Sequence, residues 1–170
     1  MSLKKDSKVK ILKKTQLKGK GLYGIYFRTS STEGVKIFKN KGYHSIKNII
    51  NNLYSDSIQD IIKEATIGKI AGSTKRLGYF KYRNRYYLGI VQRHMGTPLD
   101  RTVRIKELKR VRARLRKKKV VHSDLHGNNI VKNNQGQLRA IDFDPTRSYF
   151  VGKKRYYYTI KHGLLKNLSI

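Results

Sequence analysis

The sequence predicts an α+β fold in two lobes, with residues 1–95 forming an N-terminal antiparallel sheet plus helix and residues 96–170 a reduced helical lobe. Three observations predict it. Short β-rich runs punctuated by glycine and asparagine fill the first half. A stripe of isoleucines at helical spacing interrupts them. A long basic segment with a sparse apolar face and a hairpin pattern then follow. At 170 residues the chain can hold one core, or two small lobes that share an interface.

In chain order, Val9-Lys10-Ile11-Leu12 reads as a strand. Gly19-Lys20-Gly21-Leu22-Tyr23-Gly24 has the form G-x-G-x-x-G, and Gly24 to Phe27 reads as a strand again. A dinucleotide fold would need a helix directly after these glycines and an acidic residue roughly 20 positions on. Tyr and Phe follow instead, and they favour strands. Val35-Lys36-Ile37-Phe38 supplies the next strand, and Ile58, Ile61, Ile62, Ala65 and Ile70 mark one face of a helix that carries Glu64. Leu77 to Tyr82 and Arg85 to Val91, parted by Arg83-Asn84, form a predicted hairpin, and Gln92 to Gly96 a connector. Thr102 to Lys119 is the predicted long helix, with Val103, Leu108, Val111 and Leu115 on its apolar face. Ile130-Val131 and Leu138 to Ile141 are strands joined by the turn-forming run Asn133-Asn134-Gln135-Gly136, and Tyr156 to Leu168 is a last helix.

The chemistry concentrates in His122-Ser123-Asp124-Leu125-His126-Gly127-Asn128-Asn129 and, beyond the hairpin, Asp142-Phe143-Asp144. Phosphoryl transfer requires a carboxylate facing the acceptor hydroxyl, and acidic or amide oxygens that hold magnesium against the phosphates. Asp124 suits the first role; Asn129 and Asp142 suit the second, because the hairpin between them brings both to one edge. A polar turn with no catalytic task is the plainer alternative.

These residues resemble the protein-kinase superfamily, with its H-x-D-x-x-x-x-N catalytic loop and D-F-G metal aspartate. His126-Gly127 looks more like the atypical branch of small-molecule, Rio-type and bacterial kinases, and Asp144 stands where that family has its third-position glycine. Gly96-Thr97-Pro98-Leu99, the I-D-F element and the tyrosine-rich tail are similar to the OspG-like minimal effector kinases of bacteria. The resemblance implies a two-lobed minimal protein-kinase-like fold that uses ATP and Mg2+. It makes Gly19, Gly21 and Gly24 a lid over the phosphates, Lys36 the phosphate-contacting lysine and Glu64 its ion-pair partner. Lys39 and Asp60 are the substitutes for that pair. It further implies adenine against the backbone of Gln92 to His94, with Val91 lining the pocket. Asp124 and Lys36 would be catalytic, Asn129 and Asp142 metal ligands, and His122 a brace. Only 28 residues follow Asp142. A full acceptor platform is therefore not expected, and an activating protein partner is. The resemblance favours a serine/threonine-type protein kinase, with a small-molecule kinase as a further reading.

Forty Lys and Arg against ten Asp and Glu give a formal net charge of +30. Like charges crowded from Arg101 to Lys119 repel one another along the helix. The expected partner is therefore an acidic macromolecule: an acidic protein, nucleic acid or an anionic membrane surface. A basic nucleic-acid-associated or virion structural protein with a kinase-derived fold is the competing function. Host-cell cytoplasm or a virus particle are the corresponding settings. With no cysteine there can be no disulfide. No apolar run approaches the roughly 20 residues of a transmembrane helix. His44, His94 and His162 are too scattered to suggest a metal cluster.

Overall fold

The computed structural model describes residues 9–20, 23–93, 96–99, 104–133, 135–166 and 168. It is an α+β structure built on a six-stranded sheet of order β1-β5-β6-β4-β3-β2. The strands are β1 (Lys10–Ile11), β2 (Leu17–Lys20), β3 (Gly24–Arg28), β4 (Glu33–Phe38), β5 (Thr74–Tyr82) and β6 (Arg85–Arg93). All neighbours are antiparallel except β1, which lies parallel to β5. The strand entering the glycine run is thus Leu17–Lys20, whereas the predicted strand around Val9 to Leu12 pairs at the opposite edge of the sheet. At the β5–β6 turn both Arg83 (φ 47°) and Asn84 (φ 59°) are left-handed. That is the conformation a two-residue hairpin needs to match strand twist.

Two helices intervene between β4 and β5. The sequence did not reveal α1 (Ile46–Asn51), whose N-cap Ser45 accepts a hydrogen bond from the Asn48 amide at 3.2 Å. Helix α2 (Asp56–Ala71) ends at Gly72, where φ is +94° and the Ser73 amide donates to the Gly68 carbonyl at 2.8 Å. Glycine supplies that left-handed cap without steric cost. The Lys118 ammonium and the Arg139 guanidinium donate to the freed carbonyls of Ala71 (2.8 Å) and Gly72 (3.2 Å). Cations belong at the negative end of a helix dipole.

Beyond the connector come β7 (Thr97–Pro98), α3 (Ile105–Lys117), β8 (Val120–His122), β9 (Ile130–Lys132), β10 (Leu138–Ala140), β11 (Ser148–Phe150) and α4 (Lys154–Lys166). Strands β9 and β10 form the predicted hairpin, with β7 added on the other side of β9, and β8 pairs with β11. In α3 only Val111 and Leu115 are buried and Leu108 is half-buried, which leaves the remaining faces to cations; the predicted start of this helix at Thr102 and Val103 lies outside the described residues.

The cores cross the division predicted at Gly96. Ile58, Ile61, Ile62 and Ala65 of α2 pack with Leu77, Leu88 and Ile90 of the sheet and with Leu164 and Leu168 from the chain's end. One turn further along α2, Ile67 and Ile70 join Val111, Leu115, Leu125, Ile130 and Phe143. Each fully buried isoleucine contributes about 1.5–3 kcal/mol. Helix α2 therefore ties both halves of the chain together, and it carries Glu64 between them. No helix among the described residues is long and apolar enough to cross a membrane.

Candidate functional site

Lys36 and Glu64 meet because two independent patterns fix their orientation. Lys36 sits in β4 opposite Tyr26 of β3 and Ile90 of β6. Glu64 lies on the buried face of α2. Lys36 Nζ donates to Glu64 Oε1 at 2.7 Å and also to Asp142 Oδ1. The ammonium is thus clasped by two carboxylates, one of them 106 positions away in sequence. The Lys36 side chain is 15% exposed, that of Glu64 4% and that of Asp142 49%.

Burial opposes charge on Lys36, but the carboxylates of Glu64 and Asp142 outweigh it and push its pKa above the ordinary lysine value. Lys36 is held as an ammonium. At Glu64 burial outweighs the Lys36 ammonium and its hydrogen bond, and the carboxyl is pushed above its usual value. Stranding either charge would cost several kcal/mol. Of the two substitutes, Asp60 faces Lys41 at 3.8 Å and is half exposed, while Lys39 is an exposed residue just past β4.

The loop after β8 brings the remaining groups to the same place. The Asn129 amide nitrogen donates to the Asp124 carbonyl at 2.9 Å and approaches His126 Nε2 at 3.2 Å. With the nitrogen engaged there, the amide oxygen is the end that can meet a cation. The Ile141 amide donates to the Asn129 carbonyl at 2.9 Å, and His122 Nε2 bonds the Ile141 carbonyl at 3.0 Å. These contacts set Asp142 next to the loop. Asp142 has φ +60°, a left-handed conformation that costs a non-glycine residue of order 1 kcal/mol or more. His122 is buried against Phe143, ring centroids 5.0 Å apart. Burial lowers its pKa, against the Ile141 hydrogen bond and the carboxylates of Asp142 and Asp124. His122 is a neutral brace at pH 7.

Asp124 is half-buried and its Oδ2 accepts from Arg147 Nη1 at 3.0 Å. Sequence reasoning missed Arg147. One arginine among forty cations carries no signal until β11 pairs with β8 and the Ser123 amide donates to the Arg147 carbonyl at 2.8 Å. Asp144 accepts from the Thr146 amide at 2.8 Å and from its hydroxyl at 2.7 Å. Burial raises the Asp144 carboxyl, but the Thr146 bonds overcome this and hold it below the usual value.

Of the glycine run, Gly24 lies against Lys36. A Cβ on Gly24 would stand 3.0 Å from Lys36 Cε, so the hairpin approaches closely there because the side chain is absent. Gly19 is in β2 with open space around it, and Gly21 lies outside the described residues. Gln92 is buried in β6, in register with Gly34 and Thr74, and Val91 beside it is buried. His94 lies outside the described residues.

Among the described residues no group of three or more His, Cys, Asp or Glu has metal-binding geometry. The donor set still fits magnesium. Mg2+ bound with a nucleotide uses one or two protein ligands, phosphate oxygens and water rather than an all-protein cage. Asp142 and Asn129 would hold it, through a partly exposed carboxylate and an amide oxygen. No protein-family model matches the chain, and no curated protein matches it.

Proposed function

We propose that the chain is a Mg-ATP-dependent phosphotransferase: a minimal, two-lobed protein-kinase-like enzyme acting on serine or threonine hydroxyls of an acidic partner protein. One observation carries this reading. Lys36 is clasped between Glu64 and Asp142, with Gly24 against its side chain and the Asp124–Asn129 loop beside Asp142. A structural ion pair does not require a second carboxylate, and a surface that only binds polyanions gains nothing from acidic groups.

Magnesium, when bound, neutralises charge on the phosphates of ATP. Lys36 contributes a fixed positive charge toward the phosphates, and Glu64 holds it in place. Asp142 and Asn129 offer oxygens to the metal. Asp124 accepts the proton of the acceptor hydroxyl as its oxygen bonds the terminal phosphorus and the bond to ADP breaks. Asn129 fixes the backbone of Asp124, and His122 fixes the carbonyl that precedes Asp142.

Transfer of the terminal phosphate of ATP to the chain itself or to an acidic protein, compared among wild type, Asp142→Ala and Asp124→Asn, tests this. Each substitution should lower the rate by about 100-fold or more. Transfer that survives both would remove the assignment. A second reading, a basic binding module that keeps this fold without turnover, is favoured by the exposed cations of α3, none of which pairs with a carboxylate among the described residues. That module would bind polyanions equally well with Asp142 replaced.

A further inference from the structure

The β8–β11 ladder joins two basic segments that are far apart in sequence. Phe150 pairs with Val120, and the Val151 amide donates to the Lys119 carbonyl at 2.8 Å. The end of α3 therefore abuts the connection into α4, and Lys117, Lys119, Lys153, Lys154 and Arg155 are all exposed. None of these five pairs with a carboxylate among the described residues.

Aromatic rings cluster where β11 meets α4. Tyr156 lies 5.8 Å from Phe150, Phe150 is 6.3 Å from Tyr157 in a stacked arrangement, and Tyr157 is 5.9 Å from Tyr158 edge to face. Tyr149, Tyr156 and Tyr158 are 50%, 50% and 54% exposed. The Phe150 ring at the centre of the cluster is held by the backbone: a Cβ on Gly152 would meet it at 2.2 Å, so the chain folds directly onto that ring. A cavity of about 290 Å3 opens beside it, lined by Tyr149, Phe150, Tyr157, Tyr158, Lys63 and Lys154. It lies just under the roughly 300 Å3 at which small-ligand cavities begin, and apart from Ile67 and Gly152 its walls are aromatic and cationic.

We propose that this surface binds single-stranded nucleic acid, with Tyr149, Tyr156 and Tyr158 stacking on bases and Lys119, Lys153, Lys154 and Arg155 contacting phosphates. Exposed bases offer π-faces to the exposed rings, and the backbone offers the charge. A duplex hides its base faces and can use only the cations. An acidic peptide has no need of the rings. A membrane would require an apolar helical face, but Ile160, Leu164 and Leu168 of the α4 region are committed to the core. The inference does not depend on phosphoryl transfer, because none of these residues belongs to the Lys36–Asp142 site.

Fluorescence anisotropy of a labelled single-stranded pyrimidine oligonucleotide of about 12 nucleotides tests it. Wild type should bind, with affinity falling steeply between roughly 50 and 200 mM salt. The triple variant Tyr149→Ala, Tyr156→Ala, Tyr158→Ala should bind the single strand about tenfold or more weakly while keeping its affinity for a duplex of equal length. Its Tyr→Phe counterpart should bind like wild type, and Lys153→Glu with Lys154→Glu should weaken binding with the rings intact. The proposal is overturned by unchanged single-strand affinity in the triple alanine variant, or by equal wild-type affinity for single strand and duplex. It is also overturned if phosphatidylserine vesicles or polyglutamate bind with the same dependence on the rings. Failure here would leave transfer from ATP intact, and loss of transfer in Asp142→Ala would leave this binding intact.

Discussion

Arg147 and Asp124 show how one contact alters the reading of a residue. The predicted base has one carboxylate oxygen engaged by a guanidinium at 3.0 Å. An acceptor hydroxyl would compete for that oxygen. Arg147→Ala is therefore expected to raise the rate of transfer several-fold. Both side chains are substantially exposed, so unfolding stability should change by no more than about 1 kcal/mol. A slower variant in the same transfer assay would instead make Arg147 part of acceptor binding. Tyr79 makes a different point. Its hydroxyl is buried with no hydrogen-bond partner among the described residues, and burial pushes its pKa up to about 12. Tyr79→Phe removes an unsatisfied polar group and should gain about 1 kcal/mol in urea unfolding. The folded pKa lies above the reference value of 10.0, so the neutral phenol's contribution is complete below pH 10 and lost as pH rises toward 12. The advantage of the variant should therefore widen across that interval, and a constant gap would contradict the burial argument.

At the scale of elements, local patterns were legible where they were strong. The isoleucine stripe specified α2, Arg83-Asn84 specified the β5–β6 turn, and the Asn133 to Gly136 run specified the β9–β10 hairpin. The strand and helix patterns located β4 and α2, and the kinase resemblance is what paired Lys36 of the one with Glu64 of the other. Partnership between distant short strands left no local trace. Strands β8 and β11 have three residues each, too few for periodicity, and so their pairing and the placement of Arg147 by it were not foreseen. The parallel docking of β1 and the short helix α1 escaped for the same reason. Gly96 shows an element boundary enforced by sterics. Its φ is +105°, and a Cβ there would lie 1.8 Å from the Lys132 carbonyl oxygen. Gly96→Ala should cost about 3 kcal/mol or more, because both the backbone conformation and the β7–β9 contact would have to give. Gly19→Ala, with nothing within 4 Å, is the control and should fall within about 0.5 kcal/mol of wild type by the same thermal or urea measurement.

Across the whole molecule, α2 and α4 bind the two halves of the chain into continuous cores, so the six-stranded sheet and the Asp124–Asp142 segment hold a fixed relation. That relation is what places a lysine from β4, a glutamate from α2 and an aspartate from beyond β10 within reach of one another. The positive charge is spread over the whole chain, and the exposed cations of α3 and of the surface next to α4 lie outside this cluster. The central claim is that the clustered oxygens and the Lys36 ammonium form a magnesium-nucleotide site. Calorimetric titration with a non-hydrolysable ATP analogue tests this most directly, in the presence and absence of magnesium, on wild type and Asp142→Ala. The account predicts that wild type binds the analogue far more tightly with magnesium than without, and that Asp142→Ala loses this difference. Nucleotide affinity that ignores both magnesium and Asp142 would contradict it.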